Sequence, residues 1–295
     1  MPRGIPAGLR ALGRRDPPAR IEAGGHRYEL IEVFKHDFFA ATARYAGPAG
    51  HVVLKIGRQA DILGLPAEWI GRLLSRHEAR ICRLLGGLPG IPDLIGLWGR
   101  TGLVHAYVEG HPLRRGAAVP DDFFEQLERL IRSIHDREAA YVDLEKPENV
   151  LLGDDGRPHL IDFQISYHWP ARWGGRTLLA RWIRGILQRS DLYHVGKLHR
   201  RLRPDQLSAE QMAASYAAPL NIRLHRILMR PLTRLRRRVL ARIDPRKRSG
   251  ERGRVEPGDP RPQAGRRAAL RCDGPSAARR ERRRTGRTLR PERGQ

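Results

Sequence analysis

The feature that most restricts the fold is a change of hydrophobic period near Gly110. Before it, apolar residues alternate as in half-buried strands; after it, they recur at helical spacing. "HRYELIEVF", "FFAATARYAG" and "HVVLKIGR" read as three strands, with a turn at "AGPAG" between the last two. "PAEWIGRLLSRHEARICRLLG" reads as a helix that stops at Gly86 and Gly87. "GIPDLIGLWGR" and "GLVHAYVEG" read as two more strands. Beyond Gly110, "DDFFEQLERLIRSIHD" is helical, with Asp121 or Asp122 as its cap. "RTLLARWIRGILQ", "SDLYHVGKLHRRL" and "NIRLHRILMRPLTRLRRRVLARI" read as separate later helices, the last kinked at Pro231. Between them, "NVLLGDDGRPHLIDF" interrupts the helical pattern with two short strands, and Asp154 and Asp155 sit in the turn that joins them. The expected class is α+β: a small antiparallel sheet lobe with one main helix, a larger mainly helical lobe, and a cleft between them.

Composition narrows the partners. A hydrophobic fraction of 40% supports a core, yet no apolar run approaches the roughly 18 residues that would cross a bilayer. The opening stretch holds arginines without an apolar segment, so no cleaved signal peptide is expected. Two cysteines, Cys82 and Cys272, make neither a disulfide framework nor a metal cluster, which fits a reducing, cytoplasmic setting. The net charge of +24 implies attraction to polyanions. Much of that charge lies in residues 244–295, where Pro, Gly and Arg dominate and apolar periodicity is lost. This stretch reads as a disordered basic tail, either an arm that binds polyanions or a plainly solvated one.

The segment "YVDLEKPENVLLGDDGRPHLIDFQIS" places Asp143 and Asp162 beside short apolar runs, with Asn149 close behind the first. Over about residues 28–200 the chain resembles the protein kinase-like superfamily. "VVLKIG" is similar to the family's Val-Ala-Ile-Lys strand, which implies that Lys55 contacts the ATP phosphates, held by Glu78 on the next helix. "YVDLEKPENVLL" resembles the catalytic loop, implying Asp143 as acceptor of the substrate hydroxyl's proton and Asn149 as a Mg2+ ligand. "LIDFQIS" resembles the Asp-Phe-Gly segment, with Asp162 as the main Mg2+ ligand. "LVHAYVEG" stands where the hinge should be, so backbone groups at His105, Tyr107 and Val108 are expected to meet adenine. "SDLYHVG" looks like the start of a helix whose Asp191 braces the catalytic loop through backbone N–H groups; a simple helix N-cap is its other reading. Phosphoryl transfer needs hard oxygen ligands, cations on phosphate and a carboxylate near the attacking hydroxyl, and this set supplies all three. The implied division is a flexible 1–20, a nucleotide-binding lobe over 21–110, a helical lobe over 111–243, and the tail.

The departures are as specific as the matches. "VFKHDFFAATA" has no glycine where a Gly-rich loop belongs. Tyr-Val-Asp replaces His-Arg-Asp, Gln164 replaces the glycine after Phe163, and no Ala-Pro-Glu follows. Asn149 lies one position further from Asp143 than is usual; an inserted Glu145 keeps Asn149 at the metal, whereas without a bulge Glu148 would take its place. These losses fit poorly with a regulated protein kinase and are similar to the bacterial lipopolysaccharide core (Kdo/heptose) kinases, which implies either a protein hydroxyl or a lipid-linked sugar as acceptor. Trp169, Trp173 and Trp182 among arginines, with Leu178, Leu179, Ile183 and Leu187 at helical spacing, suit an anionic membrane surface; packing on the helical lobe is the alternative. A pseudokinase, keeping the fold as a binding or scaffold module, is the competing functional expectation.

Overall fold

The computed structural model describes residues 9–216, apart from residues 63, 115, 172 and 173. The chain divides into two compact units, Met1–Pro245 and Arg246–Gln295, and every described residue belongs to the first. The basic tail, the helix expected around Pro231 and Trp173 lie outside the described residues.

Strands β1 (Arg20–Ala23), β2 (His26–His36), β3 (Ala40–Gly47), β4 (Gly50–Gly57), β5 (Leu94–Trp98) and β6 (Gly102–Ala106) form one antiparallel sheet in the order β1-β2-β3-β4-β6-β5. Alternation along β4 decides its two faces. Val52, Leu54 and Ile56 enter a core with Tyr28, Tyr45 and Val104, while Val53 and Lys55 point to the other side. The short β1 shows little alternation of its own, and Ile21 is its one buried residue.

Helix α1 (Glu68–Leu85) crosses from β4 to β5. It lies very close to the end of β4, because a Cβ on Gly71 would collide with the backbone carbonyl of Arg58. The buried face of α1 continues through Ile81, Cys82 and Leu85 into the core of the second lobe. There it meets α2 (Phe123–Asp136), whose Phe123, Phe124, Leu127, Leu130, Ile131 and Ile134 recur at helical spacing. Asp122 stands at the N-cap of α2, but its carboxylate accepts from the Gln126 side chain rather than from a backbone N–H.

Short strands shape the floor of the cleft. β7 (Gly110–Pro112), β9 (Val150–Gly153) and β10 (Pro158–Leu160) form a three-stranded sheet, and β8 (Ala139–Ala140) pairs with β11 (Tyr167–His168). Asp155 accepts from the Arg157 N–H in the turn between β9 and β10. A long helix, α3 (Leu178–Leu202), and a short one, α4 (Ala209–Tyr216), close the described part. The strand order, the single crossover helix and the helical second lobe make this a two-lobed α+β fold.

Two expectations are corrected. The helices read at "RTLLARWIRGILQ" and "SDLYHVGKLHRRL" are one continuous α3, capped at Thr177, whose hydroxyl accepts from the Ala180 N–H. Asp191 is therefore no N-cap; its carboxylate serves the neighbouring loop instead of its own helix. Part of the lead-in to residue 20 packs against the sheet lobe. Ala11 and Leu12 are buried, the Ala11 N–H donates to Asp37 O, and Ala11 O accepts from Gln59 and Ala60 N–H. A segment this short has no period from which its packing can be read.

Candidate active site

Lys55 reaches the cleft from the middle of β4. Its Nζ lies 2.8 Å from both Glu78 carboxylate oxygens and 2.7 Å from Asp162 Oδ1. The close seating of α1 on β4 makes the Glu78 contact possible, because Glu78 sits two turns along from Gly71 on the buried face. Burial works against a charged Lys55, but Glu78 and Asp162 outweigh it and hold the ammonium pKa above the ordinary lysine range. Burial raises the Glu78 pKa, against the pull of Lys55. Burial also raises that of Asp162, yet Lys55, then Lys146 and Lys35, hold its carboxyl below the usual value. The result is one cation shared between two carboxylates from different elements.

The loop after β8 carries the second half of the site. Asp143 is buried, and its Oδ2 accepts from Lys146 Nζ at 2.6 Å and from Asn149 Nδ2 at 2.8 Å. Burial raises the Asp143 pKa, with Lys146 and Asn149 pulling the other way. Asn149 closes a 3-10 turn at Pro147–Asn149 and is buried, while Glu145 and Glu148 are exposed. The extra residue is thus absorbed before the turn, and Asn149 rather than Glu148 faces inward. Asn149 O accepts from the Ile161 N–H, and the Tyr141 hydroxyl donates to Ile161 O, so the loop is tied directly to the strand end bearing Asp162. Asp162 itself has φ +63°, and Phe163 is buried edge-on against Tyr141.

Asp191 holds this loop in place. It is fully buried in α3, and its two carboxylate oxygens accept from the Tyr141 and Val142 N–H groups, each at 2.8 Å. His135 Nε2 lies 3.1 Å from Oδ2 and must donate to it. Val142 has φ +74°, which a β-branched residue adopts only under constraint. The two amide bonds supply that constraint.

The segment expected to meet adenine begins at His105 near the end of β6 and runs past it. His105 donates from Nδ1 to Ala106 O at 2.8 Å, and burial pushes its pKa down to about 4, so the ring is neutral at neutral pH. The Tyr107 N–H donates to His51 O, and the Tyr107 ring lies under the Arg44 guanidinium at 4.3 Å. Val108 follows in irregular backbone.

The structure brings Lys55, Glu78 and Asp162 together, and beside them Asp143, Asn149 and Asp191. Sequence reasoning missed Lys146, Tyr141 and His135. Lys146 was legible as the one cation inside "LEKPEN"; His135 carried no signal, because its partner is 56 residues away. Among the described residues no group of three or more His, Cys, Asp or Glu is arranged to hold a metal. The oxygen donors in the cleft still suit magnesium, which takes one or two carboxylates and keeps waters. Asp162 would supply the carboxylate. Asn149 turns its Nδ2 to Asp143, which leaves its amide oxygen as the remaining end. A cavity of about 660 Å³ lined by Gln126, Arg129, Arg157 and His159 lies elsewhere; none of the six site residues lines it.

No protein-family model matches the chain, and no curated protein matches it. Among solved structures it is similar to the Rio2 kinase-ADP/Mg2+-phosphoaspartate complex from Chaetomium thermophilum, at 18% sequence identity and a TM-score of 0.45. That alignment covers 64% of this chain, and the chain spans 63% of the length of the Rio2 chain.

Proposed function

We propose that the protein is an ATP- and Mg2+-dependent phosphotransferase that moves the γ-phosphoryl group to a hydroxyl acceptor. The observation that carries this reading is the ammonium of Lys55 held between Glu78 and Asp162, next to a buried Asp143 bonded to Asn149. Lys55 neutralises phosphate charge, and Glu78 keeps it aimed. Asp162 and Asn149 hold the magnesium ion, which supplies charge neutralisation on the phosphates. Asp143 orients the acceptor hydroxyl and takes its proton as the new P–O bond forms and ADP leaves; a carboxylate with a raised pKa is suited to that task. Adenine meets the backbone at His105, Tyr107 and Val108. Because Ala106 O and the Tyr107 N–H already have protein partners, Val108 is the position that offers a new contact most readily.

A lipid-linked sugar is the acceptor we favour over a protein Ser/Thr, and one surface supports it. Leu178, Leu179 and Trp182 are 82%, 59% and 63% exposed at the start of α3, and Trp169 is 37% exposed. Arg176 and Arg181 stand among them, also exposed. An apolar turn with an aromatic anchor and a basic border suits the surface of an anionic membrane, at its inner face in a cytoplasmic setting. The resemblance to lipopolysaccharide core kinases agrees with that choice. A pseudokinase remains the alternative, and the flap without glycine is what favours it.

Incubation with labelled ATP and Mg2+, offering both a generic protein and a membrane glycolipid extract, tests the proposal. Label should enter the glycolipid, and Asp162→Ala should abolish the transfer. Equal transfer by that variant and the parent would reject the assignment, and nucleotide binding without any transfer would establish the scaffold reading.

A further inference from the structure

The turn between β2 and β3 roofs the cleft where a glycine-rich loop would cover phosphates with backbone N–H groups. Here that route is closed. Asp37 Oδ1 accepts from the Phe39 N–H at 2.8 Å and the Ala40 N–H at 3.0 Å. The Asp37 N–H donates to Ala40 O, and Asp37 O accepts from Ala11 N–H. Arg58, itself buried, donates to Phe38 O at 2.6 Å and lies over the Phe38 ring at 4.1 Å. The tip is fastened from four directions, and the two amides at its end are committed to a carboxylate.

One cation stands on this flap. Among residues 35–40 only Lys35 carries a positive side chain at neutral pH, since burial lowers the pKa of His36. Its direction follows from the sheet register. Lys35 pairs with Thr42, and Thr42 pairs with Lys55, so the three side chains share one face. The two lysine Cα atoms are about 10 Å apart across two strand spacings. The register shift between Val33 and Lys35 sets this direction. By strict alternation Lys35 would share the face of Val33; the extra residue, Phe34, turns it onto the face of Lys55. Lys35 Nζ rests against Asp37 Oδ2 at 2.8 Å, with its side chain 57% exposed, and its field reaches Asp162.

We propose that Lys35 replaces the missing amide cradle: its ammonium exchanges the Asp37 carboxylate for the nucleotide phosphates, and so sets the strength and phosphate dependence of nucleotide binding. This inference rests on the ATP reading above. Asp37 then has two tasks. One oxygen holds the flap tip, and the other parks Lys35 until a stronger anion arrives. The exchange moves no proton and breaks no covalent bond.

The test is calorimetric titration of the full chain with MgATP, MgADP and adenosine. Lys35→Met should weaken MgATP binding about tenfold or more, the size of one charge-assisted contact. Adenosine binding and melting temperature should not change, because the side chain is exposed. Lys35→Arg should restore most of the affinity. Asp37→Asn keeps the oxygen that accepts the two amides but removes the competing charge, so MgATP should bind more tightly than to the parent. If the parent binds MgATP and Lys35→Met binds it equally well, the flap inference is overturned while the phosphotransferase reading stands. If Lys35→Met weakens adenosine as much as MgATP, the role is structural and the inference also falls. A parent chain that binds no nucleotide removes both.

Discussion

Asp191→Asn is the substitution whose consequence the geometry fixes most tightly. The wild-type carboxylate accepts from two backbone N–H groups at 2.8 Å and faces His135 as a third donor, with no water-exposed surface. Asparagine has nearly the same shape, so no cavity opens. It keeps one acceptor oxygen and presents an NH2 group where the other oxygen was. One hydrogen bond to a charged group is lost, worth about 1.5–3 kcal/mol, and one amide is left facing a donor at a further cost of about 1–3 kcal/mol. The expected loss is about 3–5 kcal/mol, a large share of the roughly 5–15 kcal/mol that holds an ordinary domain folded. The damage should also be local. Val142 is held at φ +74°, and a left-handed β-branched residue carries about 1–2 kcal/mol of steric cost that loosened amides would release. Denaturant unfolding of parent and variant measures the total, and hydrogen exchange at Tyr141 and Val142 measures the local part. A loss below about 1 kcal/mol, with both amides as protected as in the parent, would show that Asp191 does not hold the loop.

Lys55→Met leaves the buried Glu78 and the half-buried Asp162 without their cation and should destabilise by about 3–5 kcal/mol; adding Glu78→Gln should return at least about 1 kcal/mol in urea unfolding, and strict additivity would mean the pair is not coupled. His105 carries a pH dependence. Its pKa is lowered on folding from 6.5 to about 4, so between those values the unfolded chain binds the extra proton. The stability it contributes is complete above pH 6.5 and is lost as pH falls towards 4, by about 3 kcal/mol at most. The stability difference between His105→Gln and the parent should therefore shift by that amount across the window in favour of the variant; a difference independent of pH would refute the buried neutral ring.

What the sequence disclosed and what it hid divide along a physical line. β4, α1 and the loop before β9 were legible because each candidate site residue there sits beside an apolar run whose period places it. Lys55 lies in the alternation of "HVVLKIG", and Asp162 follows the buried Leu160. Asn149 was recoverable despite the extra residue, because Glu145 and Lys146 are exposed ahead of the 3-10 turn and leave Asn149 facing inward. The continuity of α3 was hidden by Ser190 and Asp191, which look like a helix start. Only the partners of Asp191, about 50 residues away, reveal that its carboxylate is spoken for. Lys35 was hidden for a similar reason. Its face depends on a bulge in β2 that no alternation of "LIEVFKH" announces, and the role of Asp37 depends on its turn geometry.

The pattern of strain and buried charge bears on whether the chain turns over or merely binds. A scaffold has no need to bury an ammonium with one carboxylate and hold a second, half-buried one against it; well-packed apolar residues of the same volume would be neutral or more stable by about 1–4 kcal/mol. Nor does it need Val142 and Asp162 at positive φ on the two segments that are tied together at the site. Each of these features is costly, and each acts on the same small volume: the ammonium is aimed by Glu78, the loop is pinned by Asp191, and Asp143 is oriented by Lys146 and Asn149. Costs that converge on one point are what preorganisation for a charged transition state requires. The closed flap does not oppose this. It withdraws two amides from the phosphates but leaves a lysine on the same face as Lys55. On the proposed phosphotransferase reading, then, the missing glycines change how a nucleotide would be gripped rather than whether the cleft could act on it.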